Sequence, residues 1–125
     1  MIKDVIFKGT QLMIDRNGAH RKIEVGVTIY DVVFMDKYIV VLLSWEELAN
    51  TDGYNRNILC WNEEGEQLWR VEDPDWYRSG KVKTRHPFTN IRMVGDKLVG
   101  YTSDGFDIII DMQTGKLMKG WEFTK

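Results

Sequence analysis

Residues 58–69 read Ile58-Leu59-Cys60-Trp61-Asn62-Glu63-Glu64-Gly65-Glu66-Gln67-Leu68-Trp69, and their reading decides the fold. β-Branched, aromatic and other apolar residues flank a short polar stretch that ends in glycine. That is the composition of two strands folded back on one another. The glycine supplies the positive φ that a tight hairpin bend requires. The same pattern returns at Ile108-Ile109-Ile110-Asp111-Met112-Gln113-Thr114-Gly115-Lys116-Leu117-Met118-Lys119, with the glycine at the matching place. Upstream of each lies a second echo. Val33-Phe34-Met35-Asp36-Lys37-Tyr38-Ile39-Val40 matches Met93-Val94-Gly95-Asp96-Lys97-Leu98-Val99-Gly100, each with Asp-Lys at the bend.

Working outward, strands are predicted near Asp4–Phe7, Gln11–Asp15, Lys22–Thr28, Asp31–Met35, Tyr38–Trp45 and Asn57–Trp61. They continue at Gln67–Glu72, Asn90–Val94, Leu98–Ser103, Phe106–Asp111 and Lys116–Phe123. The bends fall at Asn17-Gly18, Asp36-Lys37, Glu64-Gly65, Gly95-Asp96, Asp104-Gly105 and Thr114-Gly115. Connections this short force neighbouring strands to run antiparallel. Only Trp45–Asn50 has room for a helical turn, too short to stand alone. The expectation is one all-β domain over residues 1–125, built of antiparallel meanders. It has two four-stranded sheets, about Val27–Glu72 and Phe88–Phe123, preceded by an N-terminal hairpin.

Four-stranded meanders repeated at this spacing are the blade pattern of β-propellers. The Asn62–Trp69 and Asp111–Leu117 stretches resemble the strand-turn-strand of quinoprotein-like propeller blades, in which an Asp-x-x-Thr-Gly turn precedes a strand ending in Trp. A closed propeller needs about four or more blades. With two such units, the expected packing is a sandwich or open barrel of facing sheets, with assembly of copies as the alternative.

The 125 residues suit one domain, and 43 % are hydrophobic, with five each of Trp, Tyr and Phe to fill a core. Seventeen basic and nineteen acidic residues leave a net charge of −2, which gives no global field for nucleic acid or an anionic membrane. The single cysteine, Cys60, rules out an internal disulfide and any multi-cysteine metal site, and suits a reducing compartment. The N-terminus lacks an apolar signal core, and the longest apolar run, Tyr38–Leu43, is far too short to span a bilayer as a helix. A cytoplasmic protein is expected.

Reactive-looking residues form no motif. His20 follows a turn and His86 precedes Pro87; a nucleophile–base pair needs hydrogen-bond reach and an orienting third group, and nothing flanking Cys60 or His86 supplies one. Asp73-Pro74-Asp75 lacks the alternating oxygen ligands and fixed glycine of a calcium loop. The eleven glycines are dispersed at turns, with no phosphate-cradling Gly-rich loop. No cofactor or metal is expected. The strand tryptophans Trp45, Trp61, Trp69 and Trp121 read as packing residues.

Charge and loop length point to binding instead. Glu63, Glu64, Glu66, Glu72, Asp73 and Asp75 form an acidic stretch around the single Arg70, while Arg78, Lys81, Lys83, Arg85 and Arg92 follow with no acid between them. Such blocks are either a bipolar contact surface or solvated strand ends. Two loops exceed ordinary hairpin length: Glu46–Arg56, with Glu46, Glu47, Asp52 and Tyr54, and Asp73–Pro87, with Trp76 and Tyr77. Long loops on a rigid scaffold carry function, and Trp, Tyr and Arg dominate interface hot spots. The expected contact residues are Trp76, Tyr77 and Arg78, with Asp73, Asp75, Glu72, Tyr54, Glu46 and Glu47 around them.

The expected function is a non-catalytic protein-binding module. Small all-β bacterial proteins with strand-Asn/Asp-x-x-Gly-x-x-Leu-Trp hairpins resemble the proteins of toxin-immunity loci, and that resemblance implies a cognate toxin as partner, neutralised by covering its active site. Two alternatives are carried: a small-ligand-binding or hydrolytic enzyme using a cleft between the sheets, and a structural protein that self-assembles as a homo-oligomer into a propeller-like ring.

Overall fold

The computed structural model describes residues 2–74, 85–118 and 122–123. Its strands are β1 (Asp4–Lys8), β2 (Gln11–Arg16), β3 (Ala19–Glu24), β4 (Ile29–Met35), β5 (Tyr38–Leu43) and β6 (Ile58–Asn62). They continue as β7 (Gln67–Arg70), β8 (Phe88–Val94), β9 (Lys97–Thr102), β10 (Phe106–Ile110) and β11 (Glu122–Phe123). Every named pairing is antiparallel and joins neighbours in the chain, giving three meanders ordered β1-β2-β3, β4-β5-β6-β7 and β8-β9-β10-β11. The two four-stranded sheets coincide with the two units read from the sequence. The N-terminal segment goes beyond the expected hairpin: a third strand leaves the Asn17-Gly18 bend at once, pairing Arg16 with Ala19, and makes a three-stranded sheet. That strand stops at Glu24 rather than running to Thr28, because Gly26 turns away with φ 91°. No helix of the described residues is long and apolar enough to cross a membrane.

The sheets stack as layers, with the β4–β7 sheet in the middle. Ile39, Val41 and Leu43 of β5, with Leu59 and Trp61 of β6, pack against Leu12 and Ile14 of the first sheet. The intervening Val40, Leu42, Ile58 and Cys60 pack against Phe88, Ile91, Leu98, Ile108 and Ile110 of the third. Two-sided burial is why Tyr38–Leu43 reads as an unbroken apolar run instead of an alternating one. A strand with one wet face would alternate.

The bends show how the two larger sheets correspond. By letters, Asp36-Lys37 matches Asp96-Lys97. By hydrogen bonding, Met35 pairs with Tyr38 and Val94 with Lys97, so the equivalent bends are Asp36-Lys37 and Gly95-Asp96. The first bend residue has φ 55° at Asp36 and 64° at Gly95. The later bends slip in the same sense. Asn62 Oδ1 accepts from the Glu64 and Glu66 amides (3.0 and 2.9 Å), and Asp111 Oδ1 does the equivalent job for Gln113 (2.8 Å). Structural partners are therefore one residue off the letter match. In a structure of period two, one residue reverses every side chain. Ile39 and Val41, facing the first sheet, correspond to Leu98 and Gly100, facing the second. Each four-stranded sheet leans on its predecessor through the same face.

A buried asparagine ties the second and third sheets. Asn57 Nδ2 donates to the carbonyls of Leu43 (3.1 Å) and Phe88 (2.8 Å), and its Oδ1 accepts from the Phe88 amide (3.0 Å). Buried polar groups survive when their partners are all present, and here one side chain satisfies three backbone groups.

Candidate functional site

The two long connections, β5 to β6 and β7 to β8, emerge at the same end of the stack and are braced there. In the first, Ser44 Oγ accepts from the Glu47 amide (3.2 Å), opening a run of tight turns. Thr51 Oγ1 donates to the Leu48 carbonyl (2.6 Å) and accepts from the Gly53 amide (3.1 Å). Two arginines fasten it to the chain leaving β7: Arg56 Nε donates to the Val71 carbonyl (2.8 Å), and Arg70 Nε to the Arg56 carbonyl (3.0 Å). Charge-assisted bonds of this kind are stronger than neutral ones.

The predicted acids in this region hold the scaffold. Glu47 Oε1 accepts from the Thr28 amide (3.2 Å), and Glu46 Oε1 accepts from the Tyr30 hydroxyl. The Glu46 carboxylate beside it pushes the Tyr30 phenol above its ordinary pKa. Trp45 packs edge-on against Tyr30, with centroids 4.9 Å apart. Glu72 Oε1 accepts from the Leu117 amide (2.9 Å), and the Glu72 amide donates to the Gly115 carbonyl (3.0 Å), so this acid locks the middle sheet to the third.

Where the loops touch, a polar cluster forms. Asn55, buried, donates through Nδ2 to Asp73 Oδ1 (2.6 Å). Its Oδ1 accepts from Arg85 Nη2 (2.8 Å) and Nε (3.2 Å). The Arg85 guanidinium in turn lies 5.8 Å from the Tyr54 ring centroid, a cation–π distance. Ala49, Asn50, Tyr54 and Arg85 line an open hollow of about 350 Å³. Of the nine residues the sequence singled out, the structure brings Tyr54 and Asp73 together here. Glu46, Glu47 and Glu72 lie elsewhere on the scaffold, and Asp75, Trp76, Tyr77 and Arg78 lie outside the described residues. Sequence reasoning placed Arg85 in the basic run but missed its partnership with Asn55 and Tyr54. The available signal was an asparagine beside a tyrosine in one long loop and an arginine at the end of the other.

Such a surface can hold a partner through a flat aromatic ring and a pre-oriented guanidinium, and the thiol and imidazole among the described residues are not set up as a nucleophile and its base. Cys60 is fully buried between the second and third sheets, and burial pushes its thiol up to about 12. At the same end of the stack His86 Nδ1 sits 3.5 Å from Ser103 Oγ, and its Nε2 sits 3.9 Å from Asp104 Oδ2. Both distances exceed the roughly 2.6–3.2 Å of a working nucleophile–base pair. Asp104 Oδ1 already accepts from Thr102 Oγ1 (2.7 Å), which makes it a bend-forming residue. Among the described residues, no group of three or more His, Cys, Asp or Glu side chains gathers to hold a metal ion.

A family model described as Domain of unknown function (DUF7957) matches residues 2–120. No curated protein matches the chain. Among solved structures, it is similar to the crystal structure of the computationally designed Ika4 protein, with a TM-score of 0.56 and 14 % identity over 98 % of this chain and 73 % of that one. It also matches the computationally designed Ika8 protein at a TM-score of 0.49 and 13 % identity, covering 94 % of this chain but only 35 % of the other, about a third of its length. The Ika4 likeness concerns the fold alone.

Proposed function

The chain belongs to the DUF7957 family, and within it we propose a non-catalytic protein-binding module, an immunity-type protein whose partner is a bacterial toxin domain neutralised by covering its active site. The observation that carries this reading is the fastening of the two long loops into one platform. Asn55 joins Asp73 to Arg85, and Arg85 lies over Tyr54. A platform held before the partner arrives loses little entropy on binding. Tyrosine and arginine are the side chains that concentrate binding energy at interfaces. The acids that looked available for a basic partner are committed to backbone amides at Glu47 and Glu72 and to a hydroxyl at Glu46. The contact therefore centres on Tyr54 and Arg85.

The test is titration calorimetry of this chain against the purified product of the adjacent gene in its genome. A one-to-one complex is expected, weakened about a hundredfold (~2–3 kcal/mol) by Tyr54→Ala or Arg85→Glu, the range of an interface hot spot. No complex with that protein would overturn the toxin reading. A complex indifferent to both substitutions would remove the platform from it.

A further inference from the structure

We propose that the outer face of the N-terminal sheet is a self-complementary surface on which a second copy of this chain docks about a twofold axis. The inference is independent of the loop platform and uses a different part of the molecule.

The sheet ends the stack. Its inner face, built from Leu12 and Ile14 with Val5 and Ile23, packs on the middle sheet, so strand alternation turns the residues between these positions outward. Pairing across β1, β2 and β3 arranges these in three rows: Asp4-Asp15-His20, Ile6-Met13-Lys22 and Lys8-Gln11-Glu24. The centre is apolar, and Ile6 at 59 % exposure is the most exposed large hydrophobic of the described residues. Hollows of about 230 and 130 Å³ open on either side of the Ile6–Met13 pair, one reaching Lys8 and Lys22, the other Asp4, Asp15 and His20.

The charges make the choice of occupant. A twofold axis along the Ile6–Met13–Lys22 row reverses strand direction while stacking each strand on its own copy. Ile6 and Met13 then meet their counterparts. The first row of one copy lies over the third row of the other: Asp4 over Lys8, Asp15 over Gln11, His20 over Glu24. Charges arranged in this way fix register and suppress other partners. The two Lys22 side chains approach at the exposed β3 edge and repel. Three short strands also bury less than the roughly 800 Å² per partner of a standard interface. The dimer is therefore weak and reversible.

Sedimentation analysis of the full chain tests this, from low concentration into the high-micromolar range. The expected result is a monomer–dimer equilibrium that weakens as salt rises. Asp4→Lys and Lys8→Glu should each weaken it at least about tenfold, and the Asp4→Lys/Lys8→Glu double variant should restore it. Lys22→Gln should tighten it. All three positions are exposed, and circular dichroism checks that each variant folds. A monomer throughout the range overturns the proposal, as does a dimer that ignores the single reversals or is not recovered by the double one.

Discussion

Replacing Gly115 by alanine should destabilise the fold well beyond what an ordinary turn glycine would. Gly115 has φ 76°, and a β-carbon built there would lie 2.5 Å from Trp69 Cε3 and 2.7 Å from Cδ2. The ring has little room to retreat: Trp69 belongs to the core between the second and third sheets, and its Nε1 donates to the Met112 carbonyl (2.8 Å). Two costs follow. An alanine held at positive φ loses about 1 kcal/mol, and overpacking a buried ring adds about 1–3 kcal/mol. The sum is about 2–4 kcal/mol, against a total stability on the order of 5–15 kcal/mol. For a chain of this size that lowers Tm by about 8–16 °C. Gly18 supplies the control, because its φ of 82° is similar and nothing lies within 4 Å of the added atom. Gly18→Ala should cost the backbone part alone, about 1 kcal/mol or about 4 °C. Urea unfolding followed by tryptophan fluorescence measures both. Equal losses in the two variants would refute the claim that Trp69 stacks against the bend.

Asn57→Ala strips partners from the Phe88 amide and the Leu43 and Phe88 carbonyls in a buried site. It should cost about 2–4 kcal/mol in urea unfolding, whereas Asn62→Ala, at an exposed bend, should cost about 1 kcal/mol. Cys60, with its thiol pushed up to about 12 by burial, should resist thiol-specific labelling in the native state and react at once on unfolding. Because the folded chain holds that proton to higher pH than the unfolded chain, the contribution is intact below the ordinary thiol value of 9.0 and is lost between there and about 12. The loss reaches at most about 1.4 kcal/mol per pH unit. Alkaline urea titrations of wild type and Cys60→Ala should separate by that slope, and parallel curves would contradict it.

The strand order was readable because each signal was local. Glycine or Asp bends, period-two alternation and short connections leave a meander as the consistent solution, and β4 to β10 fall where those signals put them. The number of layers was harder to read, although its trace is present. Tyr38–Leu43 is apolar at every position, which one facing sheet does not require. The second partner is the set Val5, Leu12, Ile14 and Ile23, which alternates cleanly and marks a strand group with one buried face. The repeat misled at the finest level. Letter matching favoured Asp-Lys over Asp-Lys, whereas the backbone matched the residues that bear positive φ, Asp36 and Gly95. Identity of side chains and identity of bend position are separate constraints, and the hairpin obeys the second.

The site follows from strand parity, which links the loops before any side chain is considered. In an antiparallel meander successive connections alternate between the two ends of the stack. The β4–β5, β6–β7 and β8–β9 bends therefore share one end, and the β5–β6, β7–β8 and β9–β10 connections share the other. Both long loops thus leave the middle sheet at one end, and the contact of His86, before β8, with Ser103, after β9, marks the same end of the third. Parity does not say which side chains close the gap. A carboxylate near a loop is taken either by a cation across the surface or by an amide arriving from a distant strand. Glu72 finds the amide of Leu117, 45 residues away, a partner set by the stacking of two sheets. Arg85 and Asp73 find instead the two ends of one buried amide, Asn55, which separates their charges by a side chain that both must orient. The proposed contact surface is thereby tied to the geometry of a single asparagine. Asn55→Ala should loosen both loops while leaving the three sheets intact, seen as faster amide hydrogen exchange confined to residues 46–56 and 72–74. Uniform loss of protection across β5, β6 and β9 would mean that the residue supports the core and not the platform.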